Sequence, residues 1–169
     1  HGVGGSFAQR TERSAGAKRS IARAAAGLVR DGQVIVIDGG TTTLEVARAL
    51  HPDLRATIVT TCPPIAVALA DRGGLEVTVI GGSLRRGALV TVGAETVSAL
   101  GAIRADLVFL GVCGLHPTIG VSVPDIEERH VKAAMIEDAA EVVALADAEK
   151  LGTGMPFVVS PLSAVSHLV

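Results

Sequence analysis

Residues 35–49 have the sequence IVIDGGTTTLEVARA, in which an apolar run passes through two glycines and three threonines into a helical pattern. The apolar run predicts a buried strand, and the pattern from Thr43 to Leu50 predicts a helix. Backbone N–H groups at a helix start lack intrahelical partners and lie at the positive end of the helix dipole, so this turn can bind a phosphate or a carboxylate. Thr42 and Glu45 fit a capping box. Glycine-rich turns also occur for steric reasons alone, and the stretch by itself leaves both interpretations open.

Strand and helix patterns alternate on both sides of this stretch. Helices are predicted at Glu12–Arg30, Pro63–Asp71, Gly93–Ile103 and Asp125–Ala139, and strands at Val34–Ile37, Ala56–Thr60, Glu76–Ile80, Leu107–Val112, Val142–Ala146, Phe157–Ser160 and Val165–Val169. The alternation predicts an α/β fold with a Rossmann-like, mostly parallel sheet and helices on both faces. Ser83–Val92 predicts a small antiparallel ribbon that turns at Gly87. Asp125 and Glu128 fit a second capping box.

Composition limits the class of protein. The 169 residues are 49% hydrophobic but only 2% aromatic, which predicts one domain over residues 1–169 with an aliphatic core. The formal net charge of −2 gives no general attraction to nucleic acid or to an anionic membrane. No apolar run is long enough to span a bilayer and no leader pattern is present, so we expect a cytoplasmic protein with no membrane partner. The spacing of Cys62 and Cys113 favours two free thiols.

Several well-known site motifs are missing from the chain. It contains no GxxxxGK[ST], GxGxxG, HExxH, GxSxG or CxxC sequence. The P-loop, dinucleotide-binding, zincin, α/β-hydrolase and thioredoxin interpretations are therefore excluded, and we expect neither a cofactor nor a metal.

Small and polar residues follow five of the predicted strands. These are Asp38–Thr43, Thr60–Cys62, Gly81-Gly82, Gly111–His116, and Asp147 with Lys150. Ligands of open parallel sheets bind beyond the carboxyl ends of the strands. The convergence of five such ends predicts a ligand cleft rather than a purely structural domain.

Each candidate side chain has a structural alternative. Asp38 fits a catalytic carboxylate or a group that holds its own loop through backbone N–H groups. Lys150 fits a ligand for an anion or one member of a surface ion pair, and Cys113 fits a nucleophile or a packed apolar residue. Arg85 and Arg86 flank the ribbon turn, where solvated, inter-subunit and phosphate-binding roles remain open. The basic residues between Glu12 and Arg30, among them Lys18, are predicted to form a solvated helix face.

The ordered set of motifs resembles the effector-sensing domain of DeoR-type bacterial transcription regulators. The resemblance covers nearly the whole chain and is carried by His1–Phe7 with Arg10, Lys18, Asp38–Thr43, Gly81–Arg85, Val92-Gly93, Phe109–Gly111, Gly114, Gly120, Asp125, Val131–Ile136 and Asp147–Lys150. It implies a fold similar to that of ribose-5-phosphate isomerase, glucosamine-6-phosphate deaminase and coenzyme A transferases. It also implies that an N-terminal winged helix-turn-helix is absent from this chain, with residues 1–10 corresponding to the linker that follows it.

The resemblance implies a binding function for particular residues. Gly39–Thr43 would hold the phosphate of a phosphorylated sugar, Thr60 and Thr61 would line the cleft, and Asp147 and Lys150 would meet the sugar or its phosphate. The complete set of expected ligand-binding residues is Asp38, Gly39, Gly40, Thr41, Thr42, Thr43, Thr60, Thr61, Gly111, Asp147 and Lys150. Such regulators form homo-oligomers and reach operator DNA only through the missing domain.

Two other functions remain open at this stage. The fold and the phosphate turn would also serve a sugar-phosphate isomerase or deaminase, which needs a proton-transfer group at the sugar carbon. Asp38, Asp147 and His116 are the candidates near the predicted cleft, and they form no obvious acid/base pair. The third possibility is an oligomerisation unit with a vestigial cleft.

Overall fold

The computed structural model describes residues 5–169, so residues 1–4 of the expected linker lie outside the described part. In chain order the elements are α1 (Phe7–Glu12), α2 (Ala15–Ala26), β1 (Val34–Ile37), α3 (Thr41–Ala49), β2 (Ala56–Thr60), α4 (Pro63–Leu69), β3 (Leu75–Val79), β4 (Ser83–Arg85), β5 (Val90–Val92), α5 (Ala94–Gly101), β6 (Leu107–Gly111), β7 (Gly114–His116), β8 (Gly120–Val123), α6 (Ile126–Glu137), β9 (Glu141–Leu145), β10 (Phe157–Ser160), a 3-10 helix (Leu162–Ala164) and β11 (His167–Leu168).

Six strands form a central parallel sheet in the order β11-β9-β6-β1-β2-β3. The predicted α/β fold with a mostly parallel sheet is confirmed. After β1 the chain builds the sheet in one direction through β2 and β3, and it then continues on the other side of β1 with β6. The strand order therefore reverses between β1 and β6, which is the position where ligand crevices form in open α/β sheets.

Helices flank this sheet and close an aliphatic core. Helices α2, α3 and α4 pack against one another, and α5 packs against α6. Ile35, Ile58, Ile65, Leu100 and Phe109 are among the fully buried side chains. Continuous apolar strands with helices packed against them are typical of parallel sheets, which agrees with the predicted class. No helix within residues 5–169 has the length and apolar character needed to cross a bilayer.

The first helical region differs from the prediction. The segment predicted as one helix over Glu12–Arg30 is divided, because α1 ends at Glu12 and Ser14 adopts a left-handed φ of 54° before α2 begins. A capping box between Ser6 and Gln9 starts α1, and α2 ends at Ala26 rather than at Arg30. Helix α1 therefore forms a separate short segment that contacts α3.

Two small antiparallel sheets complete the molecule. The predicted ribbon is formed by β4 and β5, joined by a turn that contains Gly87. Sequence patterns missed β7 and β8, which form a three-stranded sheet with β10 in which β8 is the middle strand. These strands have only three and four residues, too few for a periodic pattern to emerge.

Candidate functional site

A cavity of 670 Å³ lies beyond the carboxyl ends of the central strands. Its wall includes residues that follow β1, β2, β6 and β9, together with parts of the β4–β5 ribbon, α1, α2 and α6. The fifth predicted strand end, Gly81-Gly82, is not in the wall. It follows β3, which is the edge strand of the sheet and lies two strands away from the reversal of strand order.

The cavity brings together almost all of the expected ligand-binding residues. Its wall contains Asp38, Gly39, Gly40, Thr41, Thr42, Thr43, Thr61, Gly111, Asp147 and Lys150. Thr60 does not line the cavity. Its buried hydroxyl donates to the carbonyl of Ile37 at 2.6 Å and accepts from the N–H of Cys62 at 3.1 Å, so it joins two neighbouring segments of the sheet edge.

The turn after β1 leaves a helix start without a side-chain cap. Helix α3 begins at Thr41 behind Gly40, and the first intrahelical bond joins the N–H of Leu44 to the carbonyl of Gly40 at 3.0 Å. The N–H groups of residues 41–43 therefore have no partner within the helix. They lie at the positive end of the helix dipole and on the cavity wall, where an anion can accept from them.

The predicted capping box between Thr42 and Glu45 is wrong. The helix begins two residues earlier than predicted, so Thr42 lies inside its first turn, and Glu45 instead pairs with Arg48 at 2.7 Å. The hydroxyl of Thr43 donates to the carbonyl of Gly40 at 2.9 Å. Within the described residues the hydroxyls of Thr41 and Thr42 make no hydrogen bond, although both side chains belong to buried residues. A ligand can therefore use these two hydroxyls without breaking an existing bond.

Two glycines make this turn sterically accessible. Gly40 has a φ of 145°, a conformation that residues with a side chain rarely adopt. A Cβ atom on Gly39 would lie 1.9 Å from Cγ1 of Val90, so the ribbon strand β5 can approach the turn only because residue 39 is glycine. The turn and the ribbon together form one side of the cavity.

A buried ion pair holds the two strands at the reversal of strand order. Asp38 accepts from the N–H of Gly39 at 2.8 Å and from the N–H of Gly111 at 2.9 Å, and it also pairs with the ammonium of Lys132. Lys132 donates in addition to the carbonyl of Gly111 at 2.9 Å. Asp38 therefore holds its own loop and the end of β6, in agreement with the loop-holding alternative.

Sequence reasoning missed Lys132. It lies on α6 beside Val131 and three residues before Met135, both of which are buried, so a lysine next to an apolar helix face was the available signal. Burial is the largest single influence and lowers the pKa of Lys132, but Asp38, Cys113 and Glu128 together outweigh it and raise the pKa overall. The side chain stays charged and remains paired at neutral pH.

Four further cationic side chains line the cavity, and sequence reasoning foresaw only one of them. Lys150 was expected, whereas Arg10, Arg13 and Lys18 come from α1, the break after it, and α2. The prediction of a solvated basic face is wrong for Lys18, which is buried and donates to the carbonyl of Arg10. Burial, followed by repulsion from Lys150, lowers the pKa of Lys18.

Several of the cavity charges are paired. Lys150 lies 3.6 Å from Asp147, and Arg13 lies 2.9 Å from Glu149. With the pair between Asp38 and Lys132, three of the five cavity cations have a carboxylate partner, which leaves Arg10 and Lys18 without one. The fourth carboxylate of the wall, Glu128, is also unpaired within the described residues, so the wall has one net positive charge. The cavity therefore has a positive charge that the described residues do not neutralise.

Three buried polar atoms on the cavity wall have no hydrogen-bond partner within the described residues. They are Nε of Arg10, Oγ1 of Thr61 and Oδ1 of Asp147. Buried polar groups are nearly always hydrogen-bonded, so these three atoms lack the partners that such groups normally have.

The remaining candidates lie elsewhere or have other contacts. His116 is in β7 outside the cavity wall, where its Nδ1 lies 3.0 Å from the hydroxyl of Thr118. Arg85 pairs with Asp125 at 3.3 Å, and Arg86 is exposed. Cys113 lines the cavity as a free thiol whose pKa is raised by burial, which makes it a poor nucleophile at neutral pH. Within residues 5–169 no cluster of His, Cys, Asp and Glu has the arrangement of a metal site.

Comparisons with known proteins agree with this geometry. A family model described as "DeoR C terminal sensor domain" matches residues 13–169. The HTH-type transcriptional regulator GlpR of Haloferax volcanii is 38% identical over 86% of this chain and 57% of its own length. The HTH-type transcriptional repressor GlcR of Bacillus subtilis is 30% identical over 90% of this chain and 58% of its own length. The chain thus spans less than two thirds of these relatives.

Solved structures share the fold at low sequence identity. Ribose 5-phosphate isomerase A from Methanocaldococcus jannaschii superposes with a TM-score of 0.59 and 19% identity, covering 81% of this chain and 54% of that one. The translation initiation factor eIF-2B of Pyrococcus horikoshii gives a TM-score of 0.61 and 19% identity, covering 90% of this chain and 61% of that one. These similarities describe the architecture of the sheet and its helices.

Proposed function

Because this chain belongs to the DeoR family as a C-terminal sensor domain, we propose that its cavity binds a phosphorylated sugar that modulates operator binding. The DNA contact would be made by a winged helix-turn-helix outside residues 1–169. GlpR and GlcR bear the name of HTH-type regulators and are longer than this chain, which supports such an arrangement.

One observation carries the proposal: an uncapped helix start faces a cavity that has two cations without a carboxylate partner. A phosphate monoester has a charge of about −1.5 to −2 at pH 7, and Arg10 and Lys18 are the two cations of the wall that have no carboxylate partner and can attract it. Its oxygens would accept from the N–H groups of residues 41–43 and from the hydroxyls of Thr41 and Thr42. The unpartnered atoms of Thr61 and Asp147 would meet the sugar.

The enzyme alternative receives less support from the same cavity. An isomerase or deaminase needs a free carboxylate or imidazole at the sugar carbon. Asp38 is occupied by three donors, and His116 lies outside the cavity wall. Asp147 and Glu128 remain as carboxylates on that wall, so the relatives give the main support for binding without turnover. The curated relatives are transcriptional regulators, whereas the isomerase matches at only 19% identity. We therefore propose that the domain binds its ligand without chemical turnover.

The proposal is tested by thermal shift with a panel of phosphorylated sugars and their unphosphorylated counterparts. At a ligand concentration about 100 times the Kd, binding to the folded state adds about 2.7 kcal/mol. For a domain of this size we expect a rise in melting temperature of about 5–10 °C. Free sugars should give a far smaller shift, and an equal shift with both forms would refute the phosphate site.

Single substitutions locate the site. Thr41→Ala and Thr42→Ala should each weaken a sugar phosphate with little loss of stability, because neither hydroxyl bonds to the described residues. Thr78→Ala is the matched control, since Thr78 is exposed on β3 and away from the cavity. Unchanged affinity in both cavity variants would show that this turn is not the anion site.

The proposed regulatory function also includes an oligomeric state and a cellular compartment. Regulators that read paired half-sites act as symmetric oligomers, so we propose a cytoplasmic homo-oligomer. Sedimentation at micromolar concentration, with and without ligand, should show association. If the domain associates but no phosphorylated sugar changes its stability, the oligomerisation unit with a vestigial cleft is the better description.

A further inference from the structure

Glu128 is the one carboxylate of the cavity wall that has no partner within residues 5–169. It lies in the first turn of α6, where its N–H donates to the capping side chain of Asp125. Its own half-buried carboxylate makes no hydrogen bond or ion pair with the described residues, whereas Asp38, Asp147 and Glu149 each have a cationic partner. The predicted capping box is thus only half formed, because Glu128 faces the cavity.

Within the described residues no cation lies close enough to Glu128 to form an ion pair with it. The charges that act on its pKa are those of Lys132 and Arg10, which lower it, and of Asp38 and Asp125, which raise it. Lys132 is already engaged by Asp38 and by the carbonyl of Gly111. Burial is the main cause that raises the pKa of Glu128, and the two aspartates act in the same direction. The same carboxylate contributes to the raised pKa of the Cys113 thiol, which also lines the cavity.

The cavity is therefore electrically polar. The charges around Lys18 are Lys150, Asp147, Arg10 and Arg13, a set rich in cations. The charges around Glu128 are two aspartates, Lys132, which is already paired, and Arg10, which acts on Lys18 as well. A ligand that fits both ends has an anionic group at one end and a hydrogen-bond donor at the other, because an ionised carboxylate can only accept.

We propose that Glu128 determines ligand specificity by accepting a hydrogen bond from a hydroxyl or ammonium group on the organic part of the phosphorylated ligand. This inference rests on the proposed function and adds to it. The N–H groups of α3 and the two cations without a carboxylate partner select for a phosphate, while Glu128 selects among phosphates by the donor group that they bear. Inorganic phosphate, which has no organic part, would occupy the cationic end alone.

The test compares wild type with Glu128→Gln and Glu128→Ala in the whole chain. The matched control is Glu127→Gln, which removes the same charge from the same helix turn at a residue outside the cavity wall. The probes are inorganic phosphate, glucose 6-phosphate, glucosamine 6-phosphate and a panel of pentose and hexose phosphates. Calorimetric titration gives the affinity of each, and the measured quantity is the ratio of sugar-phosphate affinity to inorganic-phosphate affinity.

We expect this ratio to fall roughly tenfold in Glu128→Gln and further in Glu128→Ala, because a charge-assisted hydrogen bond is lost. It should stay unchanged in Glu127→Gln. In wild type the ratio should also fall as pH is lowered and Glu128 takes up a proton, and this fall should be smaller in Glu128→Gln, where only the ligands titrate. A preference for glucosamine 6-phosphate that disappears in Glu128→Gln would assign an ammonium donor, and a preference for hydroxylated phosphates would assign a hydroxyl.

An unchanged ratio in both Glu128 variants would overturn the inference while leaving the phosphate site intact. The same holds if no sugar phosphate binds wild type more tightly than inorganic phosphate does. If neither inorganic phosphate nor any sugar phosphate binds, the proposed function itself has failed. Folding of the variants is not at risk, since Glu128→Gln removes a buried charge without a partner and should leave the ligand-free domain at least as stable.

Discussion

Replacement of Lys132 by methionine tests whether the buried pair holds the sheet together at the reversal of strand order. The side chains of Lys132 and Asp38 are only 6% and 4% exposed. Methionine keeps most of the apolar volume but leaves the Asp38 carboxylate with only the N–H groups of Gly39 and Gly111. It also removes the donor from the carbonyl of Gly111.

The expected cost is large. Removal of one partner from a buried ion pair costs about 3–5 kcal/mol. Since total stabilities are about 5–15 kcal/mol, the loss is a sizeable fraction of the whole. At about 2–4 °C per kcal/mol the melting temperature should fall by roughly 6–20 °C.

Urea denaturation of four proteins measures this effect. Two of the proteins are wild type and Lys132→Met. The third, the double variant Asp38→Asn/Lys132→Met, removes the carboxylate charge that Lys132→Met leaves unpaired, and it should recover part of the lost free energy of unfolding. Arg48→Met removes a cation from a pair in which Arg48 is 52% exposed, and should cost at most about 1 kcal/mol. The reasoning is wrong if Lys132→Met costs no more than Arg48→Met, or if the double variant is no more stable than Lys132→Met.

The stability difference between wild type and Lys132→Met should change with pH in a defined direction. The pKa of Lys132 is raised in the folded state, so its contribution is fully present below the pKa of an unfolded lysine, about 10.4. It is lost as pH rises through the higher folded pKa. The stability gap between wild type and Lys132→Met should therefore be level from neutral pH to about 9 and shrink above roughly pH 10.4.

Further outcomes follow from other residues of the cavity. Gly39→Ala should lower both stability and sugar-phosphate affinity, because its Cβ would collide with Val90. Circular dichroism melting measures the stability and titration measures the affinity. If neither changes, Val90 does not pack against residue 39 as closely as the structure shows. The pKa of Lys18 is lowered, so sugar-phosphate affinity should decline with rising pH before ordinary lysines titrate, and Lys18→Met should show a weaker decline in titrations at several pH values. Cys113 should react with a thiol reagent more slowly than a free cysteine, and a bound sugar phosphate should slow it further; mass spectrometry of the labelled chain measures both rates. Asp147→Asn should weaken binding, and wild type should convert no pentose or hexose phosphate, whereas saturable product formation that disappears in Asp147→Asn would establish an enzyme.

Local patterns in the sequence determined the main elements of this protein. Continuous apolar runs, such as Val34–Ile37 and Leu107–Gly111, identify buried parallel strands because both faces of such strands are covered. The glycines and threonines at 39–43 marked a turn into a helix, and the strand ends predicted about half of the cavity wall. The predictions were wrong where a feature spans too few residues to give a sequence pattern. These features are the helix start at Thr41, the break at Ser14 and the three-residue strand Gly114–His116.

Only the tertiary structure decided which charges share the cavity. Lys132 and Asp38 are separated by 94 positions in the chain, and Lys18 reaches the site because α1 and α2 meet at a break that no periodicity predicts. A sequence pattern reports which face of one element is apolar, but not which element packs opposite a charged side chain. Burial and pairing depend on that packing, so the unpaired carboxylate of Glu128 becomes visible only after the partners of every other cavity charge are known.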